Sequence, residues 1–167
     1  MNLLIEKEIL QDLTSEPLSL ADAKAAMKVN FTDDDAFITD LIVTARLWLE
    51  NFTGRQLGTK VINLVVEMTA HDWYELPGPV QGVVSVTMDG NCVEFKQYGD
   101  QLMVYYPGIH EILLQCGYTT VPEDYMTDLK RIVAWSYQNR GIDLSNEAAT
   151  LTDFPELMTS YHKKLVI

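Results

Sequence analysis

The chain has 167 residues, 47% hydrophobic and 22% charged, which suits one domain with a real core and excludes wholesale disorder. Lys and Arg number 12 against 24 Asp and Glu, a formal net charge of −12. Phosphate-backbone affinity rests on many basic contacts, so sequence-independent DNA binding over the whole surface is excluded, while an acidic wall past which DNA slides remains compatible. No apolar run approaches the roughly 18–20 residues that span a bilayer, and MNLLIEKEILQDL places acids where a signal peptide needs a basic start. The expectation is an intracellular protein with no membrane partner.

Residues 1–17 contain a short amphipathic segment, Leu3, Leu4, Ile5, Ile9, Leu10 and Leu13, readable as a docked arm or a short helix before Pro17. Ser19-Leu20-Ala21-Asp22 is a capping-box pattern that opens a helix through about Val29, with Leu20, Ala23 and Met27 on its buried side. The strongest pattern runs from Asp33 to Leu57. There Ile38, Leu41, Ile42, Ala45, Trp48, Leu49 and Phe52 recur at helical spacing on one face. Thr32 and the run Asp33-Asp34-Asp35 are expected to cap its start. Gly54 ends it, and Arg46 and Arg55 lie toward its negative end.

After Gly58 the period changes to two. Ile62, Leu64, Val66 and Met68 alternate with Val61, Asn63, Val65 and Glu67, and β-branched residues are frequent. Val83–Met88 and Cys92–Lys96 flank Asp89-Gly90-Asn91, which predicts one hairpin. Leu102–Tyr106 and Glu111–Cys116 flank Pro107-Gly108, which predicts a second. Residues 59–118 therefore read as a single antiparallel sheet or small barrel. Helical spacing returns after Pro122, with Tyr125, Met126, Leu129, Ile132, Val133 and Tyr137 as the stripe and Gly141 as the stop. A last short helix is expected from Asp153-Phe154-Pro155-Glu156.

The fold class is therefore α+β: a helical bundle of two long and one or two short helices with an inserted antiparallel β lobe. The expected boundaries are 1–57 for the arm and first helices, 58–118 for the lobe, 119–141 for the completing helix and 142–167 for a C-terminal arm.

Catalytic chemistry is poorly signalled. A nucleophile elbow, a Walker loop, HExxH and a dinucleotide fingerprint are all missing from the sequence. His71-Asp72 and His110-Glu111 place an acid beside an imidazole, but strand neighbours point to opposite faces, and surface turn positions explain both pairs. Cys92 and Cys116 belong to no CxxC pair and read as buried free thiols, so no metal, cofactor or catalytic residue is assigned. Trp73, Tyr74, Tyr98, Tyr105, Tyr106 and Tyr118 gather aromatics in the β segment, most of them expected in the core and some at a protein contact.

The pieces Glu16-Pro17-Leu18-Ser19-Leu20-Ala21-Asp22-Ala23-Lys24, Asp33-Asp34-Asp35 and Glu50-Asn51-Phe52-Thr53-Gly54-Arg55-Gln56-Leu57 follow one another in an order with meaning. They continue with Leu76-Pro77-Gly78-Pro79-Val80-Gln81-Gly82, then Gly117-Tyr118, Val121-Pro122-Glu123-Asp124 and Tyr137-Gln138-Asn139-Arg140. Over roughly residues 14–141 the chain resembles the head–tail connector (adaptor) family of tailed bacteriophages. The resemblance implies a structural virion protein rather than an enzyme. It implies a homo-oligomeric ring of about twelve subunits closed by heterologous contacts. That ring sits below the portal protein, extends the DNA channel without specific DNA binding, and docks a tail or stopper protein. Assembly begins in the host cytoplasm and ends at the head–tail interface of the virion.

Tyr161, His162, Lys163, Lys164, Leu165, Val166 and Ile167 are the expected portal-docking segment, with the lysines meeting portal acids and the apolar residues adding to a portal strand. Folding back on its own domain is the alternative for this tail. Two other readings stand beside the main one. One is a small metal-dependent nucleic-acid-processing or ligand-binding enzyme using the β lobe, which would retain Mg²⁺ or Mn²⁺. The other is a tail-completion protein of different ring symmetry.

Overall fold

The computed structural model describes residues 2–139 and contains helices and antiparallel sheets, an α+β fold. The chain divides into two compact units. One joins the residues up to Ser15 with Arg55–Thr120, and the other joins Glu16–Gly54 with the described residues from Val121 onward.

In the β unit, the strand β1 (Leu3–Gln11) occupies the segment read as an arm or short helix. It pairs antiparallel with β2 (Lys60–Met68). Two bulges, at Ile5 and Leu10, interrupt the pairing and shift its side-chain phase, which is why the apolar residues do not alternate in the sequence. The arm is therefore a strand.

After β3 (Trp73–Glu75) come β4 (Val80–Met88) and the two-residue β5 (Asn91–Cys92). They are joined by a tight turn in which Asp89 and Gly90 both have positive φ, as a two-residue hairpin loop requires. The strands β6 (Phe95–Tyr98), β7 (Gln101–Val104) and β8 (Gly108–Cys116) complete the unit.

Instead of one sheet there are two, with orders β1-β2-β8-β4-β5 and β3-β7-β6. The first predicted hairpin is cut short: only Asn91 and Cys92 return along β4, and Phe95–Tyr98 cross to the smaller sheet. The second does not form. β7 pairs with β6 through a turn at Gly99-Asp100, where Gly99 has φ 58°, and β8 lies between β2 and β4. One apolar cluster, including Ile62, Leu64, Val66, Leu102, Ile112 and Leu114, runs through both sheets. The alternation predicted for β2 holds: Ile62, Leu64, Val66 and Met68 are buried.

In the helical unit, α1 (Leu20–Met27) starts at Ser19, whose hydroxyl oxygen accepts the Asp22 N–H at 3.1 Å, and stops at Lys28 in the left-handed conformation. Ala23 is buried as expected, while Leu20 and Met27 are half-buried. The next helix, α2 (Asp35–Thr53), buries Ile38, Ile42, Ala45 and Leu49, and Gly54 ends it with φ 70° and an N–H bond to the Glu50 carbonyl at 2.9 Å. The last described helix, α3 (Glu123–Gln138), buries Tyr125, Leu129, Ile132 and Val133. The three helices pack against one another. Gly141 and the helix expected near Asp153 lie outside the described residues.

Two expectations about charge in this unit are corrected. Asp34, at the cap position of α2, makes no side-chain capping bond and instead accepts the Tyr137 hydroxyl at 2.5 Å, while Asp35 pairs with Lys24 at 2.5 Å. The Asp35 N–H is taken by the Thr32 carbonyl at 3.1 Å, so backbone does the capping. Arg46 does not serve the negative end of α2, whose last turn has no basic residue. It is 3% exposed, donating to both Glu16 carboxylate oxygens at 2.8 and 3.1 Å and to Glu50 at 3.2 Å. A buried guanidinium needs such carboxylates to replace its lost hydration.

Candidate functional site

Among the described residues, those that carry titratable or nucleophilic chemistry are scattered rather than convergent. His71 sits in a turn at φ 61°, edge-on to Tyr105 with ring centroids 5.7 Å apart. His110 is 0% exposed, which corrects its reading as a surface turn residue. It lies on the inner face of β8 opposite Val66, with Nδ1 3.0 Å from the Gly108 carbonyl oxygen, because the strand alternation that buries Ile112 and Leu114 also turns it inward. Glu111, on the other face, is exposed, so the pair forms no dyad.

Cys116 is buried at the end of β8, but Cys92 is exposed in the two-residue β5, against the expectation that both thiols are internal. Among the described residues no group of three or more His, Cys, Asp or Glu is arranged to hold a metal ion. An open depression of about 350 Å³ is lined by Leu3, Glu67, Met68, Thr69, Pro107 and Gly108. Its one charged side chain is Glu67.

The aromatics do not form the core. Trp73, Tyr98 and Tyr106 are exposed, and Tyr74, Tyr105 and Tyr118 are half-buried. Burial holds the Tyr74 hydroxyl above its ordinary pKa of 10.0. The segment Tyr161–Ile167, expected to dock the portal, lies outside the described residues.

What the structure does expose is a strand. All nine residues of β1 are exposed, including Leu3 (54%), Leu4 (44%), Ile5 (51%), Ile9 (42%) and Leu10 (53%). Its start is pinned by Asn2, which donates to the Trp73 carbonyl at 3.2 Å and accepts the Thr69 N–H at 2.8 Å. Its far end leads through Asp12, 3.5 Å from the buried Lys60 ammonium, to Leu13, whose side chain fills the space beside Gly58. Among the described residues no strand pairs with its outer edge, which leaves a row of backbone groups there. The sequence signal was the adjacent apolar residues Leu3-Leu4-Ile5 and Ile9-Leu10, obscured by the bulges.

Residues 17–96 match the family described as "Phage gp6-like head-tail connector protein". No curated protein sequence matches the chain. Among solved structures, a chain in the neck of an empty gene transfer agent particle, computed with sixfold symmetry, is similar with a TM-score of 0.67 at 16% identity over 83% of this chain and 87% of that one. A chain in the virion of the native gene transfer agent particle matches with a TM-score of 0.66 at 18% identity, again over 83% and 87%. A chain in the native neck computed with twelvefold symmetry gives 0.66 at 16% identity over 83% and 86%. At these identities the likeness is one of fold, and it agrees with the match of residues 17–96 to the phage gp6-like head–tail connector family.

Proposed function

We propose that the protein is a structural component of a virion, a head–tail connector that forms a ring below the portal, prolongs the DNA channel and offers its far side to a tail or stopper protein. The family match over residues 17–96 carries this reading. The fold shared with neck proteins of particles computed with sixfold and twelvefold symmetry supports a ring, of about twelve copies where the portal above imposes its own symmetry. In this reading the packed helices are the bundle and the β unit is the inserted lobe. The net charge of −12 suits a channel that DNA crosses without being retained. The chain acts at the head–tail interface, without a catalytic step of its own.

Residues Tyr161–Ile167 remain the proposed contact with the portal, through Lys163 and Lys164 and the strand-forming Leu165-Val166-Ile167. Mixing the purified protein with portal rings and imaging the product tests the whole reading. A closed ring on one face of the portal is expected, and a monomer that never associates with the portal would contradict it. Deleting residues 161–167 is expected to abolish that association, and unchanged binding removes the tail from the portal contact.

A further inference from the structure

We propose that the free edge of β1 in one subunit pairs with the free edge of β4 in the next, so that the five-stranded sheet continues from subunit to subunit around the ring. This deepens the ring reading above and rests on it.

The sheet has two different ends. At one end β1 has β2 on its inner side and, among the described residues, no strand on its outer side. At the other end β5 covers only Thr87 and Met88 of β4, and the Val86 carbonyl is taken by the Val93 N–H. The stretch Gln81–Ser85 therefore has β8 alone as a strand neighbour among the described residues. Each open edge carries a row of backbone donors and acceptors that another strand can satisfy.

The directions match. Every strand pairing in this sheet is antiparallel, and three steps separate β1 from β4, so the two strands run in opposite senses. When the β1 edge of one copy lies beside the β4 edge of another, the new pair is antiparallel as well, like every pair already in the sheet. Two unlike edges meeting is a heterologous contact. Repeated with a constant rotation, such a contact closes into a ring, whereas one sticky edge meeting its own copy would stop at a dimer.

Side chains favour the same partner. The exposed aliphatics of β1 face a strand whose sequence, VQGVVSVTM, has no charged residue, whose Val84 is 65% exposed and whose Gly82 has open space where a side chain would stand. Glu6-Lys7-Glu8 and the bulges at Ile5 and Leu10 make β1 unwelcoming to a flat strand. The β4 edge is bulged too, at Gln81 and Val84, so its twist departs from flatness in the same way.

The test uses assembled rings of the full chain carrying Cys92→Ser, with Val84→Cys combined in turn with Leu3→Cys, Leu4→Cys, Ile5→Cys, Ile9→Cys or Leu10→Cys. Disulfides form only where Cα atoms come within about 7 Å, so a paired register is reported by its own position. The expected result is a reducible ladder of covalent multimers for at least one combination, in rings and not in monomers. Rings of normal mass that cross-link in no combination overturn the proposal. A bond formed within one chain between a β1 cysteine and Leu165→Cys also overturns it, by making the chain's own end the occupant of the edge. If the cysteine variants do not assemble, amide exchange in the unmodified protein decides: Gln81–Ser85 should slow by about tenfold or more on ring formation, and unchanged exchange overturns the pairing. An unmodified chain that forms no ring with portal present fails the ring reading itself, and the edge pairing falls with it.

Discussion

The strands β1 and β8 are both nine residues long, both rich in Leu and Ile, and both hydrogen-bonded to β2, one on each side. Yet β8 buries His110, Ile112, Leu114 and Cys116 in strict alternation, while β1 buries nothing. Strand formation is therefore no measure of contribution to the fold. The central strand is held by neighbours on both edges and by the apolar cluster beneath it, and the outer strand has a backbone partner without a covering layer. The same kind of residues stabilise the monomer in one place and remain available to a second chain in the other.

Breaking β8 should give the largest effect. Leu114→Ala, at a fully buried position opposite Ile62, is expected to cost about 2–5 kcal/mol, read from the shift of the denaturant midpoint. A loss below about 1 kcal/mol would mean that β8 is not the centre of the core.

Next comes the residue that ends β8. Gly117 has φ 103°, and a Cβ there would lie 1.8 Å from the Gly58 carbonyl oxygen, so Gly117→Ala strains the point where β8 and the approach to β2 close on each other. About 1–3 kcal/mol of destabilisation is expected in the same assay.

Against these, Ile9→Ser in β1 should change the stability of the isolated protein by no more than about 0.5 kcal/mol, since the side chain is largely in water. Its effect should appear in assembly instead, as fewer rings at equal protein concentration by mass measurement. A stability loss as large as that of Leu114→Ala would erase the distinction between the two strands.

The smallest effect concerns Tyr74, on the short strand β3. Its folded-state pKa is raised by burial, so the unfolded chain loses this proton first as pH rises. The stability it contributes is complete below pH 10.0, its unfolded value, and is lost as pH climbs through the higher folded value. Tyr74→Phe should flatten the fall in the denaturant midpoint on the alkaline side and leave it unchanged at neutral pH.

Much of the helical unit was legible because its signals are local. Ser19 caps α1, Gly54 ends α2 in the left-handed conformation, and Ile38, Ile42, Ala45 and Leu49 mark the buried face by spacing alone. The acids of that unit were misread, because Asp34 and Asp35 find tertiary donors in Tyr137 and Lys24 that no window of the sequence reveals.

The β unit was legible as strands and not as a topology. Gly90 announced its turn correctly, but Gly99-Asp100 was passed over, and with it the β6–β7 hairpin that leaves β8 to lie between β2 and β4. Asp100 is held there by the Arg55 guanidinium and by the Val80 N–H, both distant in sequence. The exposed strand β1 was hidden for a different reason: its bulges replace a period of two with a spacing that imitates a helix face.

The most direct measurement is hydrogen exchange at the amides of Leu3–Gln11 and of Gly108–Cys116, in the free chain and in rings assembled on portal. Amides of β8 should be protected in both states. Those of β1 that face away from β2 should exchange quickly in the free chain and slow markedly in the ring. Equal and rapid exchange of those β1 amides in both states would contradict the view that this strand is kept exposed for the neighbouring subunit.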